Sequence, residues 1–254
     1  MDCKRLLLVL VAAAWLAPAG ANAADAVQVK TGAKQTMEAT LYKPTGAGPF
    51  PAILVLHTSS GLQPSDQAYA SKLADEGYVC LVPDFFQAYG LSQSNRHLTF
   101  TAHAQSIQAD FIAAIELLKK TPGVQADRIG AVGFSNGGYW AILFAANRQV
   151  QAGVGYYGAY TGAGTDKSLH AFQSAITEKS SPVLVLHGAM DSTVPAQNAE
   201  YLVSILKKAN VPHEFRLYPS AGHSFERGKT LDSEAATDGW ERTLRFLNGT
   251  LKKP

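Results

Sequence analysis

The chain is short of cysteine and of charge, and each shortage removes a class of explanation. Only two cysteines occur in 254 residues, Cys3 and Cys80. Cys3 lies in a basic leader, so once that leader is cut away no internal disulfide can form and the core must hold the fold. Cys80 stands within the apolar run Tyr78-Val79-Cys80-Leu81-Val82, where a thiol reads as a small buried hydrophobe and not as a nucleophile. Charged residues make up 17% of the chain and the formal net charge is +2. With no basic run and no basic–aromatic stripe, nothing points to a nucleic-acid partner. The histidines form no ligand cluster at metal spacing, so no metal or organic cofactor is called for. The pairs Lys119-Lys120, Lys207-Lys208 and Lys252-Lys253 fall near expected helix ends, where cations favour the helix dipole.

Long apolar runs are equally scarce. The leader holds one, from Leu6 to Leu16, preceded by Lys4 and Arg5 and broken by Pro18 and Gly20. It is short for a bilayer, which disfavours a membrane anchor. Ala21-Asn22-Ala23 offers small residues for cleavage, so residues 1–23 read as a secretory signal peptide and the mature protein as periplasmic or secreted. No membrane contact is expected of the mature form. Its oligomeric state is not legible.

What the chain does have is a core's worth of apolar residues, 46% of the total. They are grouped in short runs that alternate with helical patterns, without repeats or linkers. Residues 24–254 are therefore expected to form one domain. Val27 to Tyr42 suggests a hairpin around Thr31-Gly32-Ala33-Lys34. Buried strands are expected at 52–57, 78–82, 128–134, 152–157, 182–187 and 214–218. Helices are expected at 66–76, 102–120, 139–147, 195–209 and 232–251. This is an α/β pattern, a mostly parallel sheet covered on both faces with an antiparallel hairpin at one edge. Phe85 to Phe100 shows no periodicity and is expected to run over the surface. Residues 158–179 are polar, with one short helix.

The chain is organised around Gly133-Phe134-Ser135-Asn136-Gly137-Gly138, which lies between a strand and a helix. A turn that sharp holds its central residue in a strained conformation, and only small residues fit two before and two after it. An ordinary glycine-rich turn shares the spacing, so partners must decide. A serine hydroxyl needs a base within reach, itself oriented by a third group. In this architecture the order is nucleophile, acid, histidine. Of the four histidines after Ser135, only His223 sits in a small-residue loop just past a late strand. Of the intervening acids, Asp191 alone occupies the loop after a buried strand; its rival role is to cap the following helix. The catalytic candidates are thus Ser135, Asp191 and His223. An oxyanion hole needs two main-chain N–H donors, assigned to Asn136 at the helix start and Ser59 in the early loop.

Pro51 to His57, Tyr78 to Asp84, Gly133 to Gly138, His187 to Asp191 and Gly222-His223-Ser224-Phe225 together resemble the dienelactone hydrolase family of α/β-hydrolases. The resemblance runs from about Thr40 onward and implies the α/β-hydrolase fold and hydrolysis of a small ester or lactone through an acyl-enzyme. It also carries two departures. Founding members place cysteine at the nucleophile, where this chain has Ser135, and a glutamate in the early loop, where it has Thr58. Together they point to a general esterase more than to a dedicated dienelactone hydrolase. The family holds a substrate carboxylate with arginines; Arg227 matches one, the other is absent near Gln87-Ala88, and Arg96 lies in the same loop. A small peptidase of related fold and a non-catalytic exported binding protein are the rival readings.

Overall fold

The computed structural model describes residues 24–31, 36–161 and 166–252, with the backbone alone for 166–170. The expected signal peptide and residues 32–34 of the expected hairpin turn lie outside the described residues. The strands are β1 (Ala24–Lys30), β2 (Thr36–Tyr42), β3 (Phe50–Leu56), β4 (Val79–Pro83), β5 (Val124–Phe134), β6 (Ala152–Tyr156), β7 (Val183–Gly188) and β8 (His213–Tyr218). They form one sheet in the order β1-β2-β4-β3-β5-β6-β7-β8. β1 pairs antiparallel with β2 and β2 antiparallel with β4, whereas every pairing from β4 to β8 is parallel.

The helices are α1 (Pro64–Asp75), α2 (Phe85–Ala88), α3 (Ala104–Lys120), α4 (Asn136–Ala146), α5 (Asp166–Ala175), α6 (Gln197–Lys208) and α7 (Ser233–Leu251). Because side chains alternate along a strand, β3 sends Leu54 and Leu56 into one core and Ile53 and Val55 into the other. The first core is closed by Phe111 of α3, Trp140 and Phe144 of α4 and Leu202 of α6. The second is closed by Leu73 of α1 and Phe246 and Leu247 of α7. Every residue of α4 is buried, which is why its sequence is apolar all round and lacks an amphipathic stripe.

Local signals set where the helices start. Pro64 occupies the first turn of α1, and Asp66 Oδ2 accepts a bond from the Gln63 N–H at 2.9 Å, a start signal of known kind. Asp232 caps α7 by accepting from the Ala235 N–H at 3.1 Å.

One expectation fails. Residues 85–100 do not simply run over the surface: they contain α2 and a 3₁₀ turn at Arg96–Phe100. Phe85, Phe86 and Thr99 are buried, and Phe85 stacks on His57 with ring centroids 4.0 Å apart. Elements of four and five residues are too short to leave a period in the sequence.

Candidate active site

The order β4-β3-β5 marks where the parallel sheet changes winding direction. Loops leaving β3 and β5 therefore diverge and leave a crevice at the carboxyl ends of the strands. Ser135 follows β5 at that crevice. Its φ is 53° and its ψ −109°, a left-handed conformation that a non-glycine residue adopts only under constraint. The constraint is visible on both sides. A Cβ on Gly133 would lie 2.0 Å from the Gly137 carbonyl oxygen, and one on Gly137 would lie 2.2 Å from that of Leu56. The Gly137 N–H donates to the His57 carbonyl at 3.2 Å. The turn is thus pressed onto the end of β3, which brings the Thr58–Gly61 loop beside it.

Ser135, Asp191 and His223 come together. His223 Nε2 lies 3.1 Å from Ser135 Oγ, and His223 Nδ1 lies 2.7 Å from Asp191 Oδ2. The acid and histidine loops follow the neighbouring strands β7 and β8 and are tied by the Met190 N–H donating to the Ala221 carbonyl at 2.9 Å. Asp191 does not cap α6, whose N-cap Ala196 has no side-chain cap; it binds its own loop through one oxygen and His223 through the other. Its Oδ1 accepts from the Thr193 and Val194 N–H groups at 2.9 and 2.8 Å, leaving Oδ2 for the imidazole. Burial opposes the charge on Asp191, but the bonds from His223 and Val194 outweigh it and hold the carboxyl below its ordinary pKa. It is ionised at neutral pH.

Two other histidines flank the site without entering it. Burial lowers the pKa of both His57 and His187, so each is neutral. His57 Nδ1–H then donates to the Thr58 carbonyl at 2.7 Å, and His187 Nε2–H to the Val194 carbonyl at 2.9 Å. Each ring braces the loop that follows its own strand.

The crevice is a cavity of about 650 Å³ lined by Ser59, Ser135, Asn136 and His223, and also by Arg96 and Phe100. Among the described residues that line it there is no carboxylate. Ser59 and Asn136 face the same space, and Asn136 sits at the first position of α4, where a main-chain N–H has no intrahelical acceptor. Thr58 also lines the cavity, and its Oγ1 accepts from the Ser60 N–H at 3.1 Å.

Arg227, expected as a substrate contact, is placed elsewhere. Arg227 does not line the Ser135 cavity; it lines a second cavity of about 390 Å³. Its Nη1 donates to Asp66 Oδ1 at 2.5 Å and to Ser65 Oγ at 3.0 Å, and its Nε donates to Glu226 Oε1. Two carboxylates from its surroundings thus occupy its Nη1 and Nε donors. Arg96 does reach the Ser135 cavity.

Two residues of the site escaped sequence reasoning. Thr99, fully buried, accepts a bond from Asn136 Nδ2 at 2.8 Å and so docks the 3₁₀ wall onto the helix after Ser135. Tyr157 lays its ring 4.6 Å from that of His223. Its position just past β6 was a usable signal; nothing in the sequence marks Thr99.

A family model described as the dienelactone hydrolase family matches residues 37–251. The chain belongs to the dienelactone hydrolase family. A carboxymethylenebutenolidase of Rhodococcus opacus is 31% identical over 216 residues, covering 82% of this chain and 84% of the relative. A protein of Escherichia coli O157:H7 assigned to the same activity is 29% identical over 213 residues, 79% of this chain and 77% of its own. Among solved structures, a Klebsiella pneumoniae protein assigned to the dienelactone hydrolases superposes with a TM-score of 0.76 at 27% identity, over 90% of this chain and 99% of that one. As a dienelactone hydrolase family member, the chain is a hydrolase of the ester and lactone kind.

Proposed function

We propose that this family member is an exported serine hydrolase that cleaves a small carboxylic ester or lactone through an acyl-enzyme. The observation that carries the reading is the single imidazole bridging Asp191 and Ser135 at 2.7 and 3.1 Å. Asp191, ionised and held by two N–H groups, fixes the proton of His223 on Nδ1, which leaves Nε2 free to accept the proton of Ser135. Ser135 Oγ attacks the substrate carbonyl, and the resulting oxyanion takes hydrogen bonds from the main-chain N–H groups of Ser59 and Asn136. His223 then protonates the departing alcohol. Water, deprotonated by His223, attacks the acyl-enzyme and restores Ser135 with release of the acid.

Thr58 cannot do what an ionisable group would do beside the nucleophile, and Ser135 gains its reactivity from His223 as oriented by Asp191. That supports a general carboxylesterase over an enzyme dedicated to dienelactone. Export rests on the leader at residues 1–23. Labelling the mature protein with a fluorophosphonate and measuring p-nitrophenyl acetate turnover tests the mechanism. Ser135→Ala is expected to abolish labelling and to lower turnover at least about 10⁴-fold, with thermal stability unchanged. Undiminished turnover in the folded variant rejects it.

A further inference from the structure

We infer that Arg227 is a positioning residue: with Asp66 and Glu226 it forms a buried clamp that holds the His223 loop against the segment after Ser59, beside the nucleophile turn. The inference rests on reading Ser135, Asp191 and His223 as one catalytic unit. Its own basis is the set of contacts that converge on one guanidinium.

On one side the clamp reaches the base. Glu226 Oε1 accepts from both Arg227 Nε and the Tyr157 hydroxyl, and the Tyr157 ring lies against His223. On the other side it reaches the early loop. Asp66 gives Oδ1 to Arg227 and Oδ2 to the Gln63 N–H, while Gln63 Nε2 donates to the Ser60 carbonyl at 3.0 Å. Between the two, the guanidinium carbon lies 4.3 Å from the centroid of the Phe134 ring, and Phe134 immediately precedes Ser135. Base, nucleophile and the loop bearing Ser59 thus share one support.

The side chains of Asp66, Glu226 and Arg227 are 0, 7 and 14% exposed. Buried charges of this kind are weak evidence for stability, because desolvation offsets their attraction. Their use is geometric, since a planar fork fixes the direction of each bond it makes. Burial opposes the charge on Arg227, yet the surrounding Tyr157, Glu226 and Asp66 raise its pKa above the ordinary value, so the guanidinium stays charged. A rigid fork is what catalysis needs here, because displacing a catalytic group by about 1 Å can cost on the order of 100-fold in rate.

The test compares wild type with Arg227→Gln, Arg227→Lys and Tyr157→Phe on p-nitrophenyl acetate and on the anionic mono-p-nitrophenyl succinate, with active sites counted by fluorophosphonate titration. For Arg227→Gln we expect kcat to fall about 10- to 100-fold on both esters alike, with KM within about twofold. Arg227→Lys, which keeps the charge and loses the fork, should fall between. A loss confined to KM of the anionic ester makes Arg227 a substrate contact and overturns the inference. So does an unchanged kcat per titrated site, which leaves only structural support. Should Arg227→Gln fail to fold, Tyr157→Phe removes one hydroxyl from the far end of the clamp and decides alone: a kcat loss of about 3- to 10-fold is expected, and no loss overturns it. The proton shared by His223 and Asp191 gives a readout independent of turnover. Its downfield NMR resonance should be sharp in wild type and broadened in Arg227→Gln; an unaltered resonance in that variant refutes the clamp. Absence of labelling and turnover in wild type would instead defeat the serine-hydrolase reading.

Discussion

The loop from His223 to Arg227 borders two cavities of different lining. The first, of about 650 Å³, is lined by hydroxyls, His223 and Arg96. The second, of about 390 Å³, is lined by Tyr69, Trp240 and the Arg227–Glu226 pair. The same loop serves both, with His223 in the first and Arg227 in the second. Under the proposed mechanism, what separates a reacting group from a supporting one is therefore not its residue type or its distance along the chain. His223 keeps one nitrogen turned to a cavity, whereas Arg227 has spent its Nη1 and Nε donors on buried oxygens.

The comparison can be broken at three depths. The largest expected effect is in the first cavity. Asp191→Asn keeps an oxygen for the Thr193 and Val194 N–H groups but offers its amide N–H to His223, which moves the ring proton to Nε2. Turnover should fall by about 10⁴ with the fold intact; a loss below tenfold would show that Asp191 does not set the tautomer.

An intermediate effect separates the working histidine from the two bracing ones. Burial depresses the pKa of His57 and His187 below the ordinary 6.5. Below that value the unfolded chain binds protons that the folded chain refuses. The stability they contribute is therefore full above pH 6.5 and is lost as pH falls toward their folded pKa, at up to about 1.4 kcal/mol per pH unit for each. Asp110, whose carboxyl is raised by burial, opposes this only once carboxylates begin to protonate. Urea unfolding at pH 7.5, 6.5 and 5.5 should give the greatest stability at the first, a small loss at the second, where the unfolded imidazoles are half protonated, and a clear loss at the third. A flat profile would mean that these rings accept protons while folded.

The smallest effect is expected in the second cavity and away from the clamp. Trp240 packs its ring 5.2 Å from that of Tyr69 and carries Lys72 Nζ 3.8 Å from its centroid, but it touches neither Arg227 nor the His223 loop in any bond described. Trp240→Ala should change kcat by less than about threefold while lowering the melting temperature by several degrees. A large kcat loss would show that the second cavity as a whole, and not the clamp alone, supports the site.

Much of this was legible in the chain because the signals are local. The continuous apolar runs mark strands buried on both faces, and β3, β5, β6 and β7 appear where those runs stand. Gly133 and Gly137 are readable because a side chain at either would collide with backbone a turn or a strand away. Residues 85–100 were not legible, since a 3₁₀ turn docked by Thr99 on Asn136 obeys a contact 37 positions distant and leaves no period.

Arg227 marks the boundary. Spacing after His223 placed it near the site, and likeness to the family suggested a ligand for it. Sequence by itself determined the turn at Ser135 and the alternation of buried strands with helices, because each depends on sterics or patterning within a short stretch. Which way Arg227 faces was decided by Asp66, 161 residues away. A buried guanidinium turns toward the carboxylates that neutralise it, and only the folded chain brings them together.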